Sequence, residues 1–189
     1  MQRVIGIDPS QRHTGLAELC YGSTPVFHEI QPKGDVLSSG RQIEAELDNF
    51  LANHAEPGTL YGIEKQLSVG GQTSSLMFYI QMVVLDTIGR FHVEKFQVDP
   101  VFVMPLPVQL KSYMKKRHGF DTAKPSTIVQ SFKEKYEKTP WANGRISQHK
   151  VDAFMVGQLA LDVMEGSWSY PLPSRESALI PWKIVCQQP

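Results

Sequence analysis

Before any helical periodicity begins, the chain offers three strand candidates in a row, and this start constrains the possible folds more than any other feature. Val4–Ile7 is a short β-branched run ended by Asp8-Pro9-Ser10, and Thr14–Tyr21 and Pro25–Ile30 follow, parted by Gly22-Ser23-Thr24. The connections are short, so the three strands are expected to run antiparallel to one another. Helix and strand signals then alternate. Ser38 or Ser39 is expected to cap a helix through His54, with Ile43, Leu47, Phe50 and Leu51 at helical spacing and Pro57-Gly58 as its stop. A strand over Thr59–Glu64, a glycine-bearing loop at Val69-Gly70-Gly71, a long apolar helix over Thr73–Phe91 and a strand over Val101–Met104 complete the order βββαβαβ. Helices over Val108–His118, Ser126–Lys138 and Ser147–Glu165 come next. The order describes an α/β protein, with residues 1–166 as one domain. The remaining segment, 167–189, carries Pro171, Pro173, Pro181 and Pro189 with Trp168, Tyr170 and Trp182, and reads as an extended tail.

Lys and Arg number 19, Asp and Glu also 19, so the formal net charge is zero. That balance conceals segregation. Residues 1–106 carry 7 basic and 12 acidic residues, 107–150 carry 10 and 3, and 151–189 carry 2 and 4. A basic block of net +7 therefore stands against an acidic remainder. No apolar run approaches the length of a membrane span, and the N-terminus does not read as a signal peptide, so a cytoplasmic protein without membrane attachment is expected. Cys20 and Cys186, two and far apart, indicate neither a disulfide framework nor a cysteine zinc site.

Three acidic positions carry the chemical signal. Asp8 closes the first apolar strand and Glu64 closes Leu60-Tyr61-Gly62-Ile63; if these strands are neighbours, the two carboxylates meet. Taken singly, an Asp before Pro is a common turn former and a Glu at a strand end is usually solvated. The third lies in Ser147-Gln148-His149-Lys150-Val151-Asp152-Ala153, where Ser147 is placed to cap the last long helix. His149 and Asp152 share a helix face with Val156, Leu159 and Val163, the stripe that this helix must bury, so both are expected to point at the sheet. Carboxylates in that position need compensation, because an unpaired buried charge costs several kcal/mol (about that order). A helix N-terminus supplies a part, and a divalent cation supplies far more. Oxygen ligands with one imidazole suit Mg²⁺ or Mn²⁺ better than zinc.

The segments Ile5-Gly6-Ile7-Asp8-Pro9-Ser10 with Thr14-Gly15, Gly62-Ile63-Glu64, and His149-Lys150-Val151-Asp152-Ala153 together resemble, in order and spacing, the RuvC-type Holliday junction resolvases. The resemblance runs from about Val4 to Leu161. It implies an RNase H-like fold, a mixed five-stranded sheet flanked by helices, and a homodimer that nicks paired strands of branched DNA at four-way junctions. By position, Asp8, Glu64 and Asp152 match the metal-binding carboxylates of that family, and His149 a fourth position that is Asp in some members and His in others. Two metal ions bridged by Asp8, and 5′-phosphate and 3′-hydroxyl ends, are what the resemblance implies for the reaction. The chain departs from the pattern at Ser10-Gln11, where Gly-Ser is common, and at Leu67, where many members carry an aromatic residue.

Within the basic block, Lys111, Lys115, Lys116 and Arg117 fall on one expected helix, and Lys124 and Lys150 near the openings of later ones. Such a run is often only a solvated face. Beside a carboxylate metal site it is also what a phosphodiester substrate requires, and these six are the candidate DNA-binding residues. The resemblance sets Lys111 where members contact DNA. The helix over Thr73–Phe91 has more apolar surface than one sheet face needs, which suits either complete burial or a two-fold interface. Other readings compete. Ile5-Gly6-Ile7-Asp8 with Thr14-Gly15 also looks like the first phosphate loop of actin-like ATPases, but 189 residues leave no room for their second half. An RNase H-like nuclease acting on hybrids, flaps or other branches, and a non-catalytic DNA-structure-binding protein, are the remaining alternatives.

Overall fold

The computed structural model describes residues 2–65, 72–142 and 144–168, with the side chains of residues 72–74 left aside. Its elements are β1 (Arg3–Asp8), β2 (Thr14–Cys20), β3 (Val26–Ile30), α1 (Val36–His54), β4 (Leu60–Ile63), α2 (Gln72–Phe96), β5 (Val101–Val103), α3 (Pro107–His118), α4 (Pro125–Tyr136), a 3₁₀ turn at Pro140–Ala142, and α5 (Gln148–Met164). The sheet order is β3-β2-β1-β4-β5. β1 pairs antiparallel with β2 and β2 with β3, while β1–β4 and β4–β5 are parallel. The antiparallel start and the mixed five-stranded α/β sheet are those expected. Leu67, the Val69-Gly70-Gly71 loop, Cys186 and the tail beyond Trp168 lie outside the described residues.

Strand alternation divides the core in two. Ile5, Ile7, Leu16, Tyr61 and Ile63 face α1 and α2, meeting Ile43, Leu47, Leu51, Ile80, Val84 and Ile88. Val4, Ala17, Leu19 and Leu60 face the opposite way, onto α5 with α3 and α4 behind it. The same alternation puts Gly6 and Asp8 of β1, Gly15 of β2 and Gly62 of β4 on the α5 face. Register aligns Ala17, Gly6 and Gly62 in one row across three strands. The row is a trough without long side chains, and the backbone of α5 lies in it. A Cβ at Gly6 would collide with the Ala153 carbonyl oxygen and stand 2.8 Å from the Gly157 nitrogen; one at Gly15 would collide with the His149 carbonyl.

Several boundaries differ from expectation. The cap of α1 is Asp35, not Ser38 or Ser39: the Ser38 N–H donates to Asp35 Oδ1 at 2.8 Å, and Ser39 is buried inside the helix. An aspartate three residues upstream offers a charged acceptor to the orphan N–H groups, so the helix begins earlier. α2 continues past Phe91 to Phe96, because His92 is fully buried and bonds the Tyr61 hydroxyl at 2.7 Å, a contact that periodicity does not show. It stops at Gln97, whose φ of 57° is left-handed. α3 and α4 each begin on proline, Pro107 and Pro125, where a missing N–H costs nothing. α5 starts as expected, with Ser147 Oγ accepting from the Lys150 N–H at 3.3 Å.

The trough gives a direct test. Gly6→Ala is expected to lower unfolding free energy by about 2 kcal/mol or more, at the upper part of the range for overpacking, because the obstacle is backbone rather than a side chain that can turn away. Urea denaturation of the two proteins measures it.

Candidate active site

Seating α5 on the sheet sets what its first turn can reach. Asp8 is opposite Gly15 in the β1–β2 ladder, Gly15 is opposite Glu29 in the β2–β3 ladder, and the Glu64 N–H donates to the Ile7 carbonyl at 3.2 Å just beyond the β1–β4 ladder. One end of the sheet thus carries three acids, Asp8 of β1, Glu29 of β3 and Glu64 just after β4, on its α5 face. Gly15 leaves the gap into which the His149 backbone fits. His149 Nδ1 donates to Asp8 Oδ2 at 2.7 Å, and Gln148 Nε2 donates to Asp152 Oδ2 at 2.6 Å.

Asp8 is buried, Glu64 and Asp152 partly so. Burial first, then repulsion from Asp8 and Asp152, pushes the Glu64 carboxyl up to about 8. Asp152 is pushed up to about 7, again by burial and then by Asp8, against the opposing hydrogen bond from Gln148. Lys111 draws both back toward the charged form. The His149 imidazole is raised from its ordinary value, chiefly by its hydrogen bond to Asp8.

A cavity of about 200 Å³ opens beside these acids, lined by Glu64 and Asp152, by Lys111 of α3, by Lys124 just before α4, and by Gln148, with Leu110, Met114 and Ile128 among its apolar wall residues. Of the six basic residues singled out in the sequence, the fold brings Lys111 and Lys124 to the acids. Lys115 and Lys116 are exposed farther along α3. Arg117 pairs with Asp162 near the other end of α5, Nε to Oδ2 at 3.2 Å, where the Tyr113 hydroxyl donates to the same oxygen. Lys150 lies close enough to Glu29 to stabilise its charge.

Among the described residues, no group of three or more His, Cys, Asp or Glu side chains is arranged to hold a metal ion as it stands. Asp8 is engaged by His149 and Asp152 by Gln148 instead. The donor set nonetheless fits a hard divalent cation: three neighbouring carboxyls, two of them driven toward protonation by burial and mutual repulsion, with one imidazole. The buried Gln148 Oε1 also lacks a hydrogen-bond partner.

Sequence reading missed His13, Glu29 and the grip of Gln148 on Asp152. His13 Nδ1 is 2.9 Å from Glu29 Oε1, and its ring stacks on His149. Glu29 was recoverable by counting register through two hairpins, and the Gln148–Asp152 pair by helical spacing, since the two stand four residues apart on α5; the stack of His13 on His149 depends on where α5 docks.

In the folded chain Glu64 and Asp152 hold protons that the unfolded chain releases at lower pH, and His149 likewise binds its proton more tightly when folded. The metal-free protein should therefore lose stability as pH rises from about 5 to 8. Thermal melts across that range should show the decline, and Mn²⁺ should raise the melting temperature more at pH 8 than at pH 5.

No family model matches the chain, and no curated protein matches it in sequence. Solved structures do. RuvC of Thermus thermophilus in complex with Holliday junction substrate superposes with a TM-score of 0.64 at 16% identity, over 91% of this chain and 100% of that one. A second T. thermophilus RuvC structure gives 0.59 at 14%, over 87% and 97%. The yeast mitochondrial Holliday junction resolvase gives 0.52 at 14%, over 88% and 81%. At these identities the likeness is one of architecture, and the chain accordingly has the RNase H-like fold of the RuvC-type resolvases.

Proposed function

We propose that the chain is a divalent-metal-dependent, structure-selective endonuclease that resolves four-way DNA junctions by paired nicks, leaving 5′-phosphate and 3′-hydroxyl ends. The observation that carries this reading is the meeting of Asp8, Glu64, Asp152 and His149 at one end of the sheet, beside a cavity that also holds Lys111 and Lys124. A phosphodiester needs both halves of that arrangement. Likeness in fold to an enzyme solved with a Holliday junction supports the choice of substrate.

In this reading Asp8, Glu64, Asp152 and His149 would hold Mg²⁺ or Mn²⁺, two ions per site, and the bound metal would supply Lewis acidity at the phosphate and acidify a water. The residues of the chain do the rest. Asp8 engages His149 at Nδ1, which leaves Nε2 as the nitrogen able to ligate or relay a proton. Gln148 holds one oxygen of Asp152. Lys111 and Lys124 offset the repulsion between the substrate backbone and the acids, and the exposed Lys115 and Lys116 extend the cationic path along α3. Lys150, beside Glu29 at the start of α5, stands on the side of the site, whereas Arg117 is paired with Asp162 toward the other end of the helix and lies apart from it. In this reading the nuclease domain takes residues 1–166 with 167–189 as a C-terminal tail, and the protein works in the cytoplasm; no described helix is long and apolar enough to cross a membrane.

Paired nicking asks for two sites, and α2 offers a face for a homodimer. Phe78, Met82, Leu85, Gly89 and Val93 recur at helical spacing, Phe78 and Val93 are each 54% exposed, and nothing lies within 4 Å of where a Gly89 side chain would begin. A second copy of the helix can approach closely there.

Two measurements test this reading. Asp8→Asn should bind junctions with unchanged affinity while cleavage of a labelled four-way junction in Mg²⁺ or Mn²⁺ disappears; a cleaving variant, or preference for flap, duplex or RNA–DNA hybrid over the junction, would overturn it. Replacing Met82 with Glu should shift the sedimenting species from dimer to monomer and turn paired nicks into single ones.

A further inference from the structure

The acids and His149 leave one neighbour unexplained. The His13 ring stacks on that of His149, the centroids 5.2 Å apart and the planes 2° from parallel, a separation within the range of offset stacking. His13 is 43% exposed at the side chain, and two contacts hold it: Nδ1 meets Glu29 Oε1 at 2.9 Å and its ring face packs on His149. Glu29 in turn is firmly placed. Its side chain is only 9% exposed, and although burial works against its charge, hydrogen bonds from Ser147, His13 and Gln31 and the nearby Lys150 hold its carboxyl below the usual value. Ser147 is also the cap of α5, so the carboxylate behind His13 is tied to the helix that carries His149. The result is a ladder of two carboxylate–imidazole pairs, Glu29 with His13 and Asp8 with His149, stacked ring on ring. The loop between β1 and β2 that presents His13 is itself closed by Thr14, whose Oγ1 donates to the Ser10 carbonyl at 2.8 Å.

We propose that His13 is a positioning residue for His149: braced by Glu29, its ring forms a shelf that holds the His149 imidazole in one orientation against Asp8. A lone hydrogen bond through Nδ1 leaves the ring able to swing about that bond, and a parallel ring packed on its face removes this freedom. The role rests on the nuclease reading of the site, but the stack can be examined without it.

The test compares wild type with His13→Ala, which removes the shelf, and His13→Phe, which keeps a flat ring but loses the bond to Glu29. Long-range ¹H–¹⁵N correlation spectra of the histidine rings in the metal-free protein read the orientation of His149; junction affinity and single-turnover cleavage at saturating protein read its consequence. His13→Ala should displace and broaden the His149 ring signals and slow single-turnover cleavage by about tenfold, the lower end expected for an outer partner of a ligating imidazole, with junction affinity unchanged. His13→Phe should return both the signals and most of the rate. Unmoved His149 signals in His13→Ala would overturn the proposal, as would a His13→Phe protein as slow as His13→Ala, or a loss of junction affinity that accounts for the slower rate. If the wild type cleaves no branched DNA, the nuclease reading fails while the spectra still decide whether His13 orients His149.

Discussion

The contact between α5 and the sheet is the constraint on which the rest of the structure depends. A helix carrying ordinary side chains against an ordinary sheet face would be held off by about 10 Å. Here the row of Ala17, Gly6 and Gly62, with Gly15 one step along, lets the helix backbone settle against the strands. Gly157 completes the fit from the helix side, where a Cβ would stand 2.8 Å from Leu19 Cδ1. This close seat brings short side chains within reach: His149 meets Asp8 directly, and Asp152 enters the field of Asp8 and Glu64. A larger residue in the trough would lift both from the acids. The glycines are therefore as much a part of the site as the carboxylates, although they touch no substrate in any reading of it.

Close packing also creates the electrostatic problem that the site is built around. Three acids, from β1, the residue after β4 and α5, share a partly desolvated space, and two of them are driven toward protonation near neutral pH. The fold offsets this in pieces, through a histidine on Asp8, a glutamine on Asp152 and a lysine of α3 opposite Glu64 and Asp152. None of these neutralises the whole set, which leaves an uncompensated negative field that a cation would offset. The neutral composition has a spatial meaning in this light: Lys111 and Lys124 of the basic block are brought to the cavity wall that Glu64 and Asp152 share.

The placement of the candidate residues was legible in the sequence where a short-range rule governs the outcome. Strand alternation and helical spacing suffice to put Asp8, Glu64, His149 and Asp152 on inward faces, since each rule acts over a few residues. Boundaries failed where a stronger local competitor was present, as with Asp35 over Ser38 and Ser39, or where a distant partner extended an element, as Tyr61 does for α2 through His92. The basic block showed the limit most clearly. Spacing places Lys111 and Arg117 on one helix, but six residues carry Arg117 about 9 Å along the axis, to Asp162 rather than to the acids.

By itself the sequence determined the element order, the antiparallel opening of the sheet, the inward direction of the four chemical residues and the segregation of charge, because all of these follow from patterns a few residues long. Only the tertiary structure decided how near those residues come to one another. The stacked pair of His13 and His149, the bond from His149 to Asp8 and the division of the lysines between cavity and outer surface all depend on the distance at which α5 rests on the sheet. That distance is set by steric contact between residues far apart in the chain, and no local pattern records it.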